Sequence, residues 1–448
     1  MTRIGCRPDR PMTLGLFFEG LGHHIAAWRD PAVDPWARQS LDHFTTIAQT
    51  AERARFDFIF TADTFAMFGP EDPRQWSRTT GASRHEPFTL MAALAARTER
   101  IGLVLTATTT YYEPMHVARM FASLDQLSGG RTGWNIVTSN TPAEAANFGR
   151  TEYPEAEERY ARADEFVEVV TGLWDGWDED ALIADQATGV YVDPARLHRL
   201  DHQGQRFSVR GPLAIPRSPQ GRPVLVQAGQ SGSGRILSAK YGEILFSIQS
   251  DIAQAVAHRA DVRTGAAAFG RNPDDLRVLP GIFIVAGSTR SEAEDRYARL
   301  QQLIPEDIGV ALLSGLLGVD LGDHDLDAPF TGVPLDRALS HGKVIHDHAL
   351  RGGLTLRELY REVAGQRGHR VVVGDACDIA DDLEDWFTAG ACDGFNIMPP
   401  TFPDGLDAIV AHVVPELRRR GLVESAYSGR TLRDHLGLAP PRSRWAAS

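Results

Sequence analysis

SGGRTGWNIVTSN, residues 128–140, begins as a glycine turn and runs into a short apolar strand whose end carries hydroxyls and an asparagine. Side chains alternate along a strand, so Gly133, Asn135, Val137 and Ser139 share one face, and Trp134, Ile136 and Thr138 the other. The second set is mostly large and apolar and suits an interface with helices. The smaller, more polar set then points into whatever the strand encloses. Polar chemistry gathered at the C-terminal end of a buried strand is the pattern of a barrel with its active site at that rim.

The rest of the chain supplies such a barrel. Apolar runs at Met12–Phe18, Phe56–Asp63, Ile101–Thr110, Thr132–Ser139, Pro223–Gly229, Glu243–Ile248, Arg277–Gly287 and Gly394–Pro399 read as strands buried on both faces. Amphipathic segments between them, among them Leu41–Arg53, Pro87–Arg97, Pro114–Leu127, Glu157–Trp174, Ala253–Phe269, Ser291–Leu303, Ile379–Ala389 and Leu406–Arg420, read as helices. Eight β-then-α units predict an α/β fold, a (β/α)8 TIM barrel, as a single domain over residues 1–448. Two stretches exceed the bare barrel. Residues 176–222 form an insertion after strand 4, and residues 305–370 a longer one after strand 7, expected to act as a lid. Residues 421–448 read as a C-terminal docking extension.

Forty-six basic against fifty-nine acidic residues give a formal charge of −13, which argues against nucleic acid or an anionic membrane as partner. Cys6, Cys377 and Cys392 make no metal-ligand spacing, and so sparse a set fits a reducing compartment. The first twenty residues show no secretory apolar region, and no stretch approaches the ~20 apolar residues of a membrane span, so a cytoplasmic protein is expected.

Other strand ends repeat the polar pattern. The second places Asp63 at the rim, the third Thr108, Thr109 and Thr110. The fifth ends in QAGQSGSGR, where Ser231, Gly232, Ser233 and Gly234 open a helix and offer backbone N–H groups to an anion such as a phosphate, with Arg235 and Lys240 nearby. The same turn also fits a plain glycine-serine cap, and Asn135 fits either a ligand contact or a hydrogen-bonded core residue. His23 and His24 follow the first strand at the rim, where an imidazole could hand over a proton; an inert loop histidine is the competing reading. His324, in the second insertion, is a further candidate for the substrate pocket. His341, His346 and His348 suggest a metal, but at helical spacing His346 and His348 diverge and no carboxylate cluster completes a site, so none is expected.

Several pieces together, namely GRTGWNIVTS with AEAANFG, AWRDP, AERARFDFIFTADT, residues 86–131, RYARADEFVEVVTGLWDGW, DHQGQRFSVRGPL, RPVLVQAGQSGSGR and DGFNIMPP, resemble the nitrilotriacetate, dibenzothiophene-sulfone and pristinamycin monooxygenase branch of the bacterial-luciferase-like flavin monooxygenases. The resemblance spans nearly the whole chain. It implies an FMNH2-dependent monooxygenase, the oxygenase component of a two-component pair. Reduced FMN would come from a separate flavin reductase, O2 would be the co-substrate, and a C4a-hydroperoxyflavin would oxygenate a small organic substrate. It further implies a homodimer or homotetramer. Carried onto this sequence, the flavin contacts would be Asp63, Thr108, Thr109, Asn135, Ser139, Tyr160, Ser231 and Gly232, and His23, His24 and His324 the candidates for catalysis. Where that branch usually has a histidine four residues before the tyrosine, this chain has Ala156. The alternatives are a deazaflavin-dependent oxidoreductase of the same superfamily, a flavin-binding barrel without catalysis, and a metal-dependent barrel hydrolase.

Overall fold

The computed structural model describes residues 10–67, 73–139, 141–229, 232–336, 340–366 and 368–446. Among the described residues nine parallel strands carry the fold: β1 (Thr13–Phe17), β2 (Phe58–Thr61), β3 (Gly102–Thr108), β4 (Thr132–Val137), β5 (Val224–Gln227), β6 (Ile244–Ser247), β7 (Arg277–Ala286), β8 (Arg370–Gly374) and β9 (Gly394–Met398). The hydrogen-bonded order β6–β5–β4–β3–β2–β1–β9–β7 closes through β6 and β7, so eight of them form the expected barrel. All eight expected strands are present, each trimmed at one or both ends.

The faces of β4 follow from the sequence. Trp134 is fully buried against Phe121, Phe166 and Trp174 of the surrounding helices, and its indole N–H donates to the Ala107 carbonyl at 2.9 Å. Gly133 faces inward. A Cβ there would stand 3.4 Å from Leu432, and one on Gly102 of β3 would stand 2.5 Å from the same side chain. Gly102 therefore has no room for a side chain because the C-terminal tail enters the barrel from below, whereas at Gly133 the tight neighbours are Val104 at 3.0 Å and the Val224 carbonyl at 3.3 Å. Leu432, Leu436 and Leu438 join Phe58, Val104, Val224, Ile244 and Leu279 in one buried cluster, so the extension is the floor of the barrel.

That floor is pinned by charge. Arg433 is 1 % exposed and bonds both oxygens of Glu243, at 2.7 and 2.9 Å. Burial alone would raise the Glu243 carboxyl, but the Arg433 guanidinium outweighs it and holds the group below its ordinary range. Glu243 also accepts the Leu225 N–H at 2.9 Å, which ties the tail to the start of the β5–β6 wall.

The first insertion makes two small antiparallel pairs, Leu182–Asp185 with Val190–Val192 and His202–Gln203 with Ser208–Val209. The second differs from its expectation in one respect. It builds three helices, Glu306–Leu317, Ser340–Gly352 and Leu356–Gln366, around their own core of Leu313, Leu317, Phe330, Leu359 and Tyr360, which also takes Ala26 from the loop after β1. It then ends in β8, a strand absent from the expected set, which pairs with Ile282–Ala286 of β7 above the point where β6 stops. Its apolar run is only three valines, too short to separate from loop by pattern. Among the described residues no helix is long and apolar enough to cross a membrane.

Removing one partner of a buried ion pair leaves the other uncompensated, at a cost of about 3–5 kcal/mol. Arg433→Met is expected to lower unfolding free energy by that order in a denaturant titration at pH 7. The loss should shrink as the pH falls through the Glu243 titration, because a depressed carboxylate contributes stability only above its unfolded pKa.

Candidate functional site

At the C-terminal ends of β2, β3 and β4 the inward side chains form one connected wall. Thr106 Oγ1 donates to the Thr61 carbonyl at 3.0 Å and accepts from Asn135 Nδ2 at 2.8 Å. Asn135 Oδ1 is buried with no hydrogen-bond partner among the described residues. An acceptor left so is costly unless a ligand donates to it, which favours the ligand reading of Asn135 over the core one. Ser139 Oγ lies 2.9 Å from both Thr108 Oγ1 and Glu144 Oε1. Thr109 is fully buried, and its hydroxyl donates to the Val137 carbonyl at 3.2 Å, so it braces β3 against β4.

Ser139 holds φ at +30°, a conformation that costs a non-glycine residue about 1–3 kcal/mol. Two residues that the sequence reading passed over hold it there. Arg159 donates to the Thr138 and Ser139 carbonyls at 3.1 and 2.8 Å, and buried Glu144 accepts from Ser139, Thr141 and the Phe65 N–H. Arg162 does the same for the end of β3, donating to the Thr109 carbonyl at 2.9 Å. Both arginines and Tyr160 belong to the helix Ala156–Trp174, which therefore sets the rim. The segments AEAANFG and RYARADE contained these residues, but spacing alone does not show where a helical arginine reaches.

The other end of the wall is the helix Gly232–Tyr241. A Cβ on Gly234 would stand 2.9 Å from both the Tyr160 hydroxyl and Gly229 Cα, so the turn is packed tightly against the tyrosine. Gly232 is exposed with open space around it, leaving the helix start accessible. Ser231 lies outside the described residues, as does Asn140. The nearby cations are engaged within the protein: Lys240 bonds Asp164 at 2.7 Å and Arg235 sits 3.7 Å from Asp261. Ala156 is exposed at the first turn of its helix.

The barrel interior below this rim is aromatic, with Phe17, Phe60 and Phe246 in sequence at ring distances of 4.7 and 4.5 Å. His23 is buried beside it, its ring on the edge of Phe17 at 4.5 Å and its Nε2 2.8 Å from the Phe17 carbonyl. His24 accepts the Ala26 N–H at Nδ1 and meets Gln301 Oε1 from Nε2, so both of its nitrogens are engaged in holding the loop after β1. His324 is exposed on a turn of the helical insertion. His346 and His348 turn to different partners, Val333 N–H and Glu362. Among the described residues no group of three or more histidine, cysteine or carboxylate side chains could hold a metal ion.

Asp63 is half-buried at the end of β2, and burial raises its carboxyl from 3.8 to about 6, against the Thr64 N–H and Arg84 and with help from Glu86 and Glu144. A carboxyl raised in this way favours the folded state below pH 4 and loses that contribution as the pH rises through about 6. Asp63→Asn is therefore expected to be more stabilising at pH 7 than at pH 4, measured as a difference in denaturation midpoint between variant and parent at the two pH values.

The family model described as luciferase-like monooxygenase matches residues 21–391. N-acetyl-S-(2-succino)cysteine monooxygenase of Bacillus subtilis (strain 168) is 44 % identical over 441 residues, 98 % of this chain and 99 % of that protein. Nitrilotriacetate monooxygenase component A of Aminobacter aminovorans is 44 % identical over 447 residues, 97 % of this chain and 98 % of that one. A crystal structure of a riboflavin lyase with modified FMN and riboflavin superposes with a TM-score of 0.82 at 32 % identity, covering 96 % of each chain. With the barrel and its polar rim in place, these likenesses make the chain a member of the luciferase-like monooxygenase family.

Proposed function

We propose that the chain is the oxygenase component of a two-component system, taking reduced FMN from a separate flavin reductase and using O2 to oxygenate a small organic substrate. The observation that carries this reading is the buried, unpartnered Oδ1 of Asn135 in a wall of hydroxyls leading to an open helix N-terminus. A flavin needs both: hydrogen bonds along its ring system and an anion site for its phosphate. Asp63, Thr108, Asn135 and Ser139 would hold the ring, with Thr109 positioning the strand ends. Tyr160, Ser231 and Gly232 would hold the phosphate. Component A in the name of the nitrilotriacetate enzyme, and modified FMN in the riboflavin lyase structure, support the partner and the cofactor.

Reduced FMN, when bound, would supply the oxygen-activating chemistry that the family resemblance implies. The chain's own residues orient the ring, keep water away and handle protons. His23 is our candidate for a proton at the mouth, because it lies beside Phe17 at the end of β1. His24 and His324 are weaker candidates, one by its engaged nitrogens and the other by its exposure. The helical insertion, anchored on Ala26, would serve as the cover. A cytoplasmic homodimer or homotetramer completes the reading, and N-acetyl-S-(2-succino)cysteine and nitrilotriacetate are the first compounds to assay.

Anaerobic mixing of the protein with reduced FMN, followed by O2, is expected to give a hydroperoxyflavin absorbance that outlives the free flavin's. Decay at the free rate overturns the proposal. Tyr160→Phe is expected to weaken reduced-FMN binding about tenfold, the worth of one hydrogen bond to a charged group, as read by anaerobic fluorescence titration.

A further inference from the structure

Opposite the hydroxyl wall, across an eight-stranded ring, lie β7 and β9. Phe395 and Ile397 pack outward into the main core, so alternation turns Asn396 into the barrel. Its register neighbours on the two sides are Gly15 of β1 and Gly281 of β7. Neither has a side chain to fill the space beside it, and each space is taken by another ring. A Cβ on Gly15 would overlap Phe58 from the floor, and one on Gly281 would overlap the imidazole of His369. His369 immediately precedes β8, whose Val371 and Val373 share a cluster with Phe283 and Met398. The second insertion thus returns to the barrel and delivers a histidine over Gly281, one strand away from Asn396.

Asn396 is 2 % exposed, and its Oδ1 has no hydrogen-bond partner among the described residues. A second buried and unmet acceptor on the far wall, beside an imidazole, calls for a ligand group that both donates and accepts. We propose that Asn396 and His369 are the substrate-recognition pair of the barrel, taking an amide or a group of the same donor-acceptor character from the substrate. Two walls then divide the labour, with the flavin against β2–β4 and the substrate's polar group against β7 and β9. The apolar rings of Phe17, Phe60 and Phe246 lie between them. This rests on the flavin-monooxygenase reading above.

The test is anaerobic calorimetric titration of the protein loaded with reduced FMN, using two probes. One is N-acetyl-S-(2-succino)cysteine; the other is the same thioether tricarboxylate without its acetamido group. The amide probe is expected to bind about tenfold tighter to the parent protein, the worth of one net hydrogen bond. Asn396→Leu and His369→Phe should each abolish that difference, leaving FMN affinity and binding of the amide-free probe unchanged. His369→Gln, which keeps a hydrogen-bonding end, should retain part of it. Equal affinity of the parent for both probes, or binding of neither, overturns the pair. So does a difference that persists in the variants, or loss of FMN affinity along with the probe. Failure of the parent to bind FMN appears before any probe is added, and overturns the flavin reading and this proposal with it.

Discussion

A closed parallel barrel spends every inward backbone group on its neighbours, so its interior must be filled by side chains and its chemistry must come from strand ends. Here the filling is divided by height. Below, Phe58 and Leu432 occupy the volume left by Gly15 and Gly102, and the tail that brings Leu432 is locked by Arg433 on Glu243. Above, Thr106, Asn135 and Asn396 carry polar groups into the same lumen. The dry floor lets the upper half be polar without flooding the core. Without the tail, five inward apolar residues of β2, β3, β5, β6 and β7 would face solvent from below.

The rim depends in turn on one helix. Along Ala156–Trp174, Arg159 clamps the end of β4, Arg162 the end of β3, and Asp164 the helix after β5. Glu165 accepts the Arg206 and Phe207 N–H groups of the first insertion. Charge-assisted bonds to backbone carbonyls have fixed directions, so one rigid rod sets the relative positions of three neighbouring loops. The strained φ of Ser139 persists because Arg159 and Glu144 hold both sides of it.

The strands, the helices and the facing of Trp134 were legible because periodicity reports burial directly. Asp63, Thr108, Asn135 and Ser139 were legible as strand-end polar groups, and the family resemblance reached the same residues. The floor was not legible. Leu432 sits in a polar stretch, and its bearing on Gly102, far upstream, is visible only once the chain is folded. His369 was hidden for a related reason. Its strand is short, and its place in the lumen depends on Gly281 having no side chain. Arginines of an amphipathic helix look alike in sequence, so the clamp by Arg159 required coordinates.

These dependences also explain how one architecture can serve different substrates. The hydroxyl wall is built from core strands and held by the Ala156–Trp174 helix, and a change there would disturb the barrel itself. The opposite wall is partly made by the second insertion, which has its own core of Leu313, Phe330 and Tyr360 and touches the barrel through the loop after β1, the helix Arg290–Gln302 and β8. Residues in such a unit can change without repacking the main core, because few side chains belong to both clusters. The second insertion and His369 are parts of one chain segment. On the proposed reading, a substitution that shifts the helices of the insertion also shifts His369 over Gly281, so that access to the lumen and recognition within it are coupled.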